Sequence, residues 1–207
     1  MRTGTAALMA GVVAVAGIAT MALWPMGAAD DPFAPCREGQ VAGGAVGGPF
    51  ELVDAQGGTV TDRDVFRTPT ILYFGFASCP DVCPVDLARN ALVVDLLEER
   101  GLLATPVFVT VDPARDTPEV VGAYAAAMHP RMIGLTGAPE QVDAAAKAWR
   151  VYYARRGEDP VAYTMDHSSF SYLVLPGVGF VDFVDREAPA EEVAERMACV
   201  IVAAGTA

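Results

Sequence analysis

Two cysteines stand four positions apart in the run Cys79-Pro80-Asp81-Val82-Cys83-Pro84. The residues before them, 70–76, are almost wholly apolar and read as a buried strand. Behind them Val85, Ala88, Leu92 and Leu96 recur at helical spacing. The pair therefore falls where a strand ends and a helix begins. The first turn of a helix offers unpaired N–H groups and the positive end of its dipole, which favour thiolate. Two thiols on one side of such a turn can attack a disulfide, close one, or pinch a single soft metal ion. The plainer alternative is a structural disulfide or a pair of buried thiols. Its weakness is that structural cysteines are seldom set together at a strand-to-helix switch point.

A third donor is available. The chain has two histidines, His129 and His167. His129 precedes Pro130 at an expected helix end, where a cation meets the negative end of the dipole. His167 lies in the polar stretch 164–169, read as a turn entering a hairpin strand at 170–175. If that hairpin pairs beside the cysteine strand, His167 shares a sheet edge with Cys79 and Cys83. Two thiolates and one imidazole suit Cu(I), whereas Zn²⁺ would want a fourth ligand. Met165 or a carboxylate would be at hand for a higher coordination number. Asp112 ends a second apolar, β-branched run (residues 106–111) and is a candidate to support the ligands from behind. Asp116, Thr117 and Pro118 are explained by a turn and a helix cap.

The elements that must position these groups follow from periodicity. A short strand pair at 50–53 and 59–60 comes first, then strand, helix and strand around the cysteines. A helix from Thr117, a short strand at 131–135, a helix containing Val142, Ala145, Ala146 and Trp149, and a strand at 151–154 follow. A hairpin of 170–175 and 179–184, turning at Pro176-Gly177, precedes a terminal helix whose inner face is Val193, Met197, Val200 and Ile201. The expected class is α/β: a parallel centre with an antiparallel edge, flanked by helices.

Within 207 residues the net charge is −12, and no basic stripe exists to neutralise phosphates, which argues against nucleic acid. Residues 5–26 carry no charge and are long enough for one bilayer crossing. Arg2 on one flank and Asp30 with Asp31 on the other place the remainder outside the cytoplasm. A cleaved signal peptide ending near 27–29 is the competing reading, but the run exceeds a usual signal core. The expected organisation is a transmembrane anchor at 1–27, a glycine-rich flexible tether at 28–47, and a folded domain at 48–207.

The runs Phe74-Gly75-Phe76-Ala77-Ser78-Cys79-Pro80-Asp81-Val82-Cys83-Pro84, Thr110-Val111-Asp112-Pro113-Ala114-Arg115-Asp116-Thr117-Pro118, and Asp166-His167-Ser168 with Tyr172-Leu173-Val174 resemble the Sco/SenC family. The resemblance covers residues 48–205 or so, with the three motifs in order. It implies a thioredoxin-like mixed sheet on a single-pass inner-membrane anchor, with the domain facing the periplasm. It also implies a copper metallochaperone rather than an enzyme, with Cys79, Cys83 and His167 as ligands to Cu(I) or Cu(II). The implied partner is the subunit of cytochrome c oxidase that receives the dinuclear copper centre, along with other copper carriers. Ser78 stands where many members carry His.

The alternative is a thiol–disulfide oxidoreductase in which Cys79 and Cys83 reduce the cysteines of the oxidase copper site. Three residues separate the pair here, where thioredoxin-type sites have two, and that reading leaves His167 without a task. Cys36 and Cys199 lie outside the shared motifs. An oxidising compartment would let them form a structural disulfide, against the alternative of two unrelated thiols.

Overall fold

The computed structural model describes residues 31–37, 46–159 and 161–205. The apolar run 5–26 and its expected membrane crossing lie outside the described residues. Among those described, no helix is long and apolar enough to cross a membrane.

The sequence begins its folded part with a strand pair, β1 (Glu51–Asp54) and β2 (Thr59–Thr61), followed by one helical turn, α1 (Asp62–Val65). The turn between the strands closes on Asp54, whose Oδ1 accepts from the Gln56 and Gly58 amides. Then come β3 (Thr70–Gly75), α2 (Val82–Glu98), β4 (Thr105–Thr110), α3 (Pro118–Met128), β5 (Ile133–Thr136) and α4 (Pro139–Ala148). Next are β6 (Tyr153–Arg156), β7 (Thr164–His167), β8 (Ser171–Leu175), β9 (Gly179–Val184) and α5 (Ala190–Ala203). Seven strands form one sheet in the order β2-β1-β5-β4-β3-β8-β9. Strands β3, β4 and β5 are mutually parallel, and β1, β8 and β9 join antiparallel. This is a thioredoxin-like mixed sheet flanked by helices.

Every residue of β3 and β8 is buried, as expected for strands covered on both faces. Their side chains divide between two apolar clusters. Leu72, Phe74, Tyr172 and Val174 enter the one that includes Val121, Val142 and Trp149 from α3, α4 and the residue after it. Ile71, Leu173 and Leu175 enter the other, with Val93, Val94 and Leu97 of α2 and Val193, Met197, Val200 and Ile201 of α5. The inner face read for the terminal helix is thus fully buried.

The face read for α2 is not. Val85 is 60% exposed and Leu92 45%. The helix instead buries Cys83, Asp86, Leu87, Asn90, Ala91, Val93, Val94 and Leu97. Two of those are polar, so a count of apolar residues alone finds the wrong stripe. Arg89 and Asn90 hold this helix to β8: the Arg89 Nη2 and Asn90 Nδ2 groups donate to Ser171 Oγ at 2.8 and 2.9 Å.

The strands β6 and β7 pair only with each other, forming a hairpin outside the main sheet. His167 is therefore the last residue of a strand, opposite Tyr153, rather than part of a turn. The polar residues Thr164, Asp166 and His167 disguise that strand in the sequence. Ahead of β1 lies a short 3-10 turn, Ala34–Cys36, in which Cys36 is buried and disulfide-bonded to Cys199 of α5, with Cα atoms 5.6 Å apart.

Candidate metal centre

Strand β3 delivers the cysteines. It ends at Gly75, beside Thr110 at the end of parallel β4, so the following loop opens at the carboxyl edge of the sheet. The loop is braced from below. Asp116 is fully buried, and its Oδ2 accepts from the Ala77 amide at 2.9 Å and from Thr110 Oγ1 at 2.6 Å. The helix cap is Thr117, whose Oγ1 accepts from Val120 N, and the Asp116 amide closes the expected turn on Asp112 O; the bracing by the Asp116 side chain left no mark in the sequence. Burial pushes the Asp116 carboxyl up despite those two donors.

Cys79 is half-buried, Cys83 is buried, and both thiols are free. The Cys83 amide points at Cys79 Sγ, 3.4 Å away. His167 comes from the hairpin, and its Nε2 lies 3.3 Å from Cys83 Sγ. Its Nδ1 lies 2.9 Å from the Ser168 carbonyl oxygen, which can only accept. Nδ1 therefore carries the ring hydrogen, and Nε2 keeps its lone pair toward the sulfurs. Tyr73 and Phe76 flank the imidazole edge-on, with ring centroids 6.0 and 5.8 Å away. One donor atom from each of Cys79, Cys83 and His167 falls within 4.8 Å of the others, the only such trio of acidic, histidine and cysteine groups among the described residues.

Burial decides the protonation states. A helix start favours an anion by about 0.3–1 kcal/mol, less than one pKa unit, whereas full burial can move a pKa by roughly 3–5 units. Accordingly burial pushes the Cys83 thiol well up, overriding the helix start; the nearby Cys79 adds to the rise. The thiolate expected from the helix start is thus overruled at Cys83 by its depth. Burial also pushes the His167 imidazole down, so it is neutral, although the Ser168 carbonyl, Asp86 and Asp166 oppose this. Below the site Tyr73 donates to Asp86 Oδ2 at 2.9 Å, both buried. Burial raises Asp86, with the Tyr73 hydroxyl and Arg89 working against it. Sequence reading passed over Asp86 because a carboxylate on a helix is ordinarily a solvated group.

Asp112 is buried but does not touch the donors. Its oxygens accept from the Tyr163 hydroxyl at 2.7 Å and pair with the Arg115 guanidinium. Arg115 in turn lies over the Phe76 ring that flanks His167. Its influence on the site therefore runs through Arg115 and the hairpin.

Gly75 leaves room for the inner sulfur. A Cβ there would lie 2.8 Å from Cys83 Sγ and 2.8 Å from Tyr73 Cε1. Gly75→Ala is expected to displace Cys83, to cost about 1–3 kcal/mol of stability as overpacking does, and to weaken metal retention. Denaturant titration beside metal retention checks both; a variant matching the parent in each would show that the sulfur shifts freely.

The SCO1/SenC family profile matches residues 38–202. The chain belongs to the SCO1/SenC family. Within that family, Protein SenC of Rhodobacter capsulatus is 50% identical over 207 residues, covering 99% of this chain and 93% of its own. Among solved SCO structures, Arabidopsis thaliana ScoI with copper bound superposes with a TM-score of 0.71 at 38% identity, covering 79% of this chain and all (100%) of that one. Bradyrhizobium japonicum ScoI with copper bound gives 0.67 at 34% identity, covering 74% and 98%. Two thiols and an imidazole brought within 4.8 Å form a donor set that suits a soft ion such as copper.

Proposed function

We propose that this chain is a membrane-anchored copper metallochaperone that binds copper through Cys79, Cys83 and His167 and serves assembly of the dinuclear copper centre of cytochrome c oxidase. The observation that carries the copper site is the convergence of three donor atoms within 4.8 Å from two separate parts of the fold. Sulfur donors select Cu(I), and the imidazole keeps Cu(II) accessible. Relatives with copper bound support the choice of ion. The copper-receiving subunit of the oxidase is the partner that the family resemblance implies, with other copper carriers as the source. We assign residues 1–27 to an inner-membrane anchor, 28–47 to a tether and 48–207 to a domain facing the periplasm. The charge-free run 5–26 and its flanking charges support the anchor. An oxidising compartment fits the Cys36–Cys199 bridge.

The chemistry of loading follows from the protonation states. Copper displaces the proton of Cys83, forming the sulfur–copper bond and releasing H⁺, while the neutral His167 Nε2 donates its lone pair and releases nothing. Acid therefore competes with copper. Because burial raises Cys83, this competition persists through neutral pH; because burial lowers His167, imidazole protonation adds to it only under more acidic conditions. Cu(I) affinity is expected to rise by roughly tenfold or more per pH unit between about pH 6 and 8, one decade per proton released. Competition titration of the reduced full-length chain tests this together with stoichiometry. One copper per chain with that slope is expected; a flat profile would show that a thiolate is already present.

A thiol–disulfide oxidoreductase reading is favoured by one observation: both thiols are free, and Cys79, nearer the surface, could attack a partner disulfide and be resolved by Cys83. In that exchange the two thiols lose two electrons and two protons to the partner pair. It predicts that His167→Ala leaves exchange activity largely intact.

A further inference from the structure

The histidine donor depends on an element that the main sheet does not hold. The hairpin β6–β7 pairs with no other strand among those described. Near His167 the Ser168 amide donates to Tyr152 O at 2.9 Å and the Tyr152 amide to Ser168 Oγ at 3.0 Å, while the Tyr153 hydroxyl reaches Asp143 Oδ1 of α4 at 3.4 Å and Tyr153 and Met165 pack on the core. At the opposite end of β7 stands Tyr163. Its hydroxyl donates to Asp112 Oδ1 at 2.7 Å, and its carbonyl accepts from Arg115 Nη1 at 2.9 Å. Its ring lies between two guanidiniums, with Arg115 Cζ 3.7 Å and Arg155 Cζ 4.1 Å from the centroid. Asp112 and Arg115 belong to the loop after β4, part of the frame that carries the cysteines. Arg155 belongs to the hairpin, and its Nη2 donates to Asp159 O. Asp159 Oδ1 in turn accepts from the Val161 and Ala162 amides.

We infer that Tyr163 is a positioning residue for the metal site: gripped by Asp112 and Arg115, it locks the hairpin to the frame so that His167 Nε2 stays over the cysteine sulfurs. This rests on the copper reading above. The ring stacked on guanidinium and the hydroxyl on a buried carboxylate fasten the same residue in two ways, which restrains both translation and rotation of the strand it begins. It also explains why Asp112 is buried next to the site yet contacts no donor.

The test has two arms on the full-length chain. In the metal-free protein, Tyr163→Ala is expected to speed amide hydrogen exchange in β6 and β7 while β3, β4 and β8 keep their protection. Unchanged exchange in the hairpin would overturn the clamp whatever the protein binds. In the second arm Cu(I) affinity is measured for the parent, Tyr163→Ala, His167→Ala and the double variant. Tyr163→Ala is expected to lose roughly 10–100-fold in the parent background, the range for groups that orient a ligand, and nothing further once His167 is alanine. Equal losses in both backgrounds would overturn action through His167. A parent that holds no copper would sink the copper reading, and the exchange arm alone would then decide the clamp. Should Tyr163→Ala fail to fold, Tyr163→Phe, which removes only the hydroxyl, carries both arms and should show the same pattern at smaller amplitude.

Discussion

Replacing His167 by alanine is expected to cost the full-length chain more than about 100-fold in copper affinity, beyond what disturbing a supporting group costs, without unfolding it. The imidazole supplies one of three donors, and no other histidine or cysteine among the described residues comes within reach of the two sulfurs. His167 is only partly buried and ends a strand, so its removal leaves the β3 and β8 framework in place. Cys83→Ser should lose more, since it removes a soft sulfur donor that lies 3.3 Å from His167 Nε2. The readout is copper retained after gel filtration against a competing chelator, beside circular dichroism to check the fold. If His167→Ala keeps copper as tightly as the parent, the three-donor site is wrong and the redox reading moves ahead.

The second large effect concerns stability. Replacing Cys36 and Cys199 together by serine is expected to lower Tm by roughly 10 °C. The bridge spans 163 residues of sequence. In the chain-entropy model a loop of that length restrains the unfolded chain by about 5 kcal/mol, an upper figure; each kcal/mol shifts Tm by about 2–4 °C at this size. The bridge also seats Cys36 against the α5 cluster, where it is buried among Val193, Met197 and Val200. Calorimetry of the oxidised parent and the double variant checks it. A difference under about 2 °C would mean that the unfolded chain gains little freedom, against the loop-closure account.

Much of this architecture was legible in the chain, and the exceptions share a cause. Periodicity located β3, β4, the terminal helix and the β8–β9 hairpin because the residues each buries are mostly apolar. It misread the inner face of α2 because Asp86 and Asn90 are buried there with partners from β3 and β8, contacts that sequence spacing does not reveal. It missed β7 because Thr164–His167 is polar, and its strand character comes from pairing with β6. The cysteines and His167 were legible as a soft donor set from residue type, yet the protonation of Cys83 was not, since depth outweighs helix position. Asp112 and Asp116 show the same limit: both acids sit at the end of β4, and only the fold shows that one braces the cysteine loop while the other holds Tyr163.

The hairpin's separation from the sheet bears on the order of events when cargo changes hands. Two donors ride on a frame stitched by the Arg89, Asn90 and Ser171 hydrogen bonds, and the third rides on a two-stranded appendage. Such a set has two donors fixed by the sheet and a third whose place depends on the Tyr163 clamp. On the copper reading, an incoming ligand would take the place of the imidazole first, through an associative exchange that never leaves the ion bare, and the sulfurs would yield afterwards. Release would then be timed by the opening of that clamp rather than by the breaking of a sulfur bond, so a well-held ion could still leave quickly.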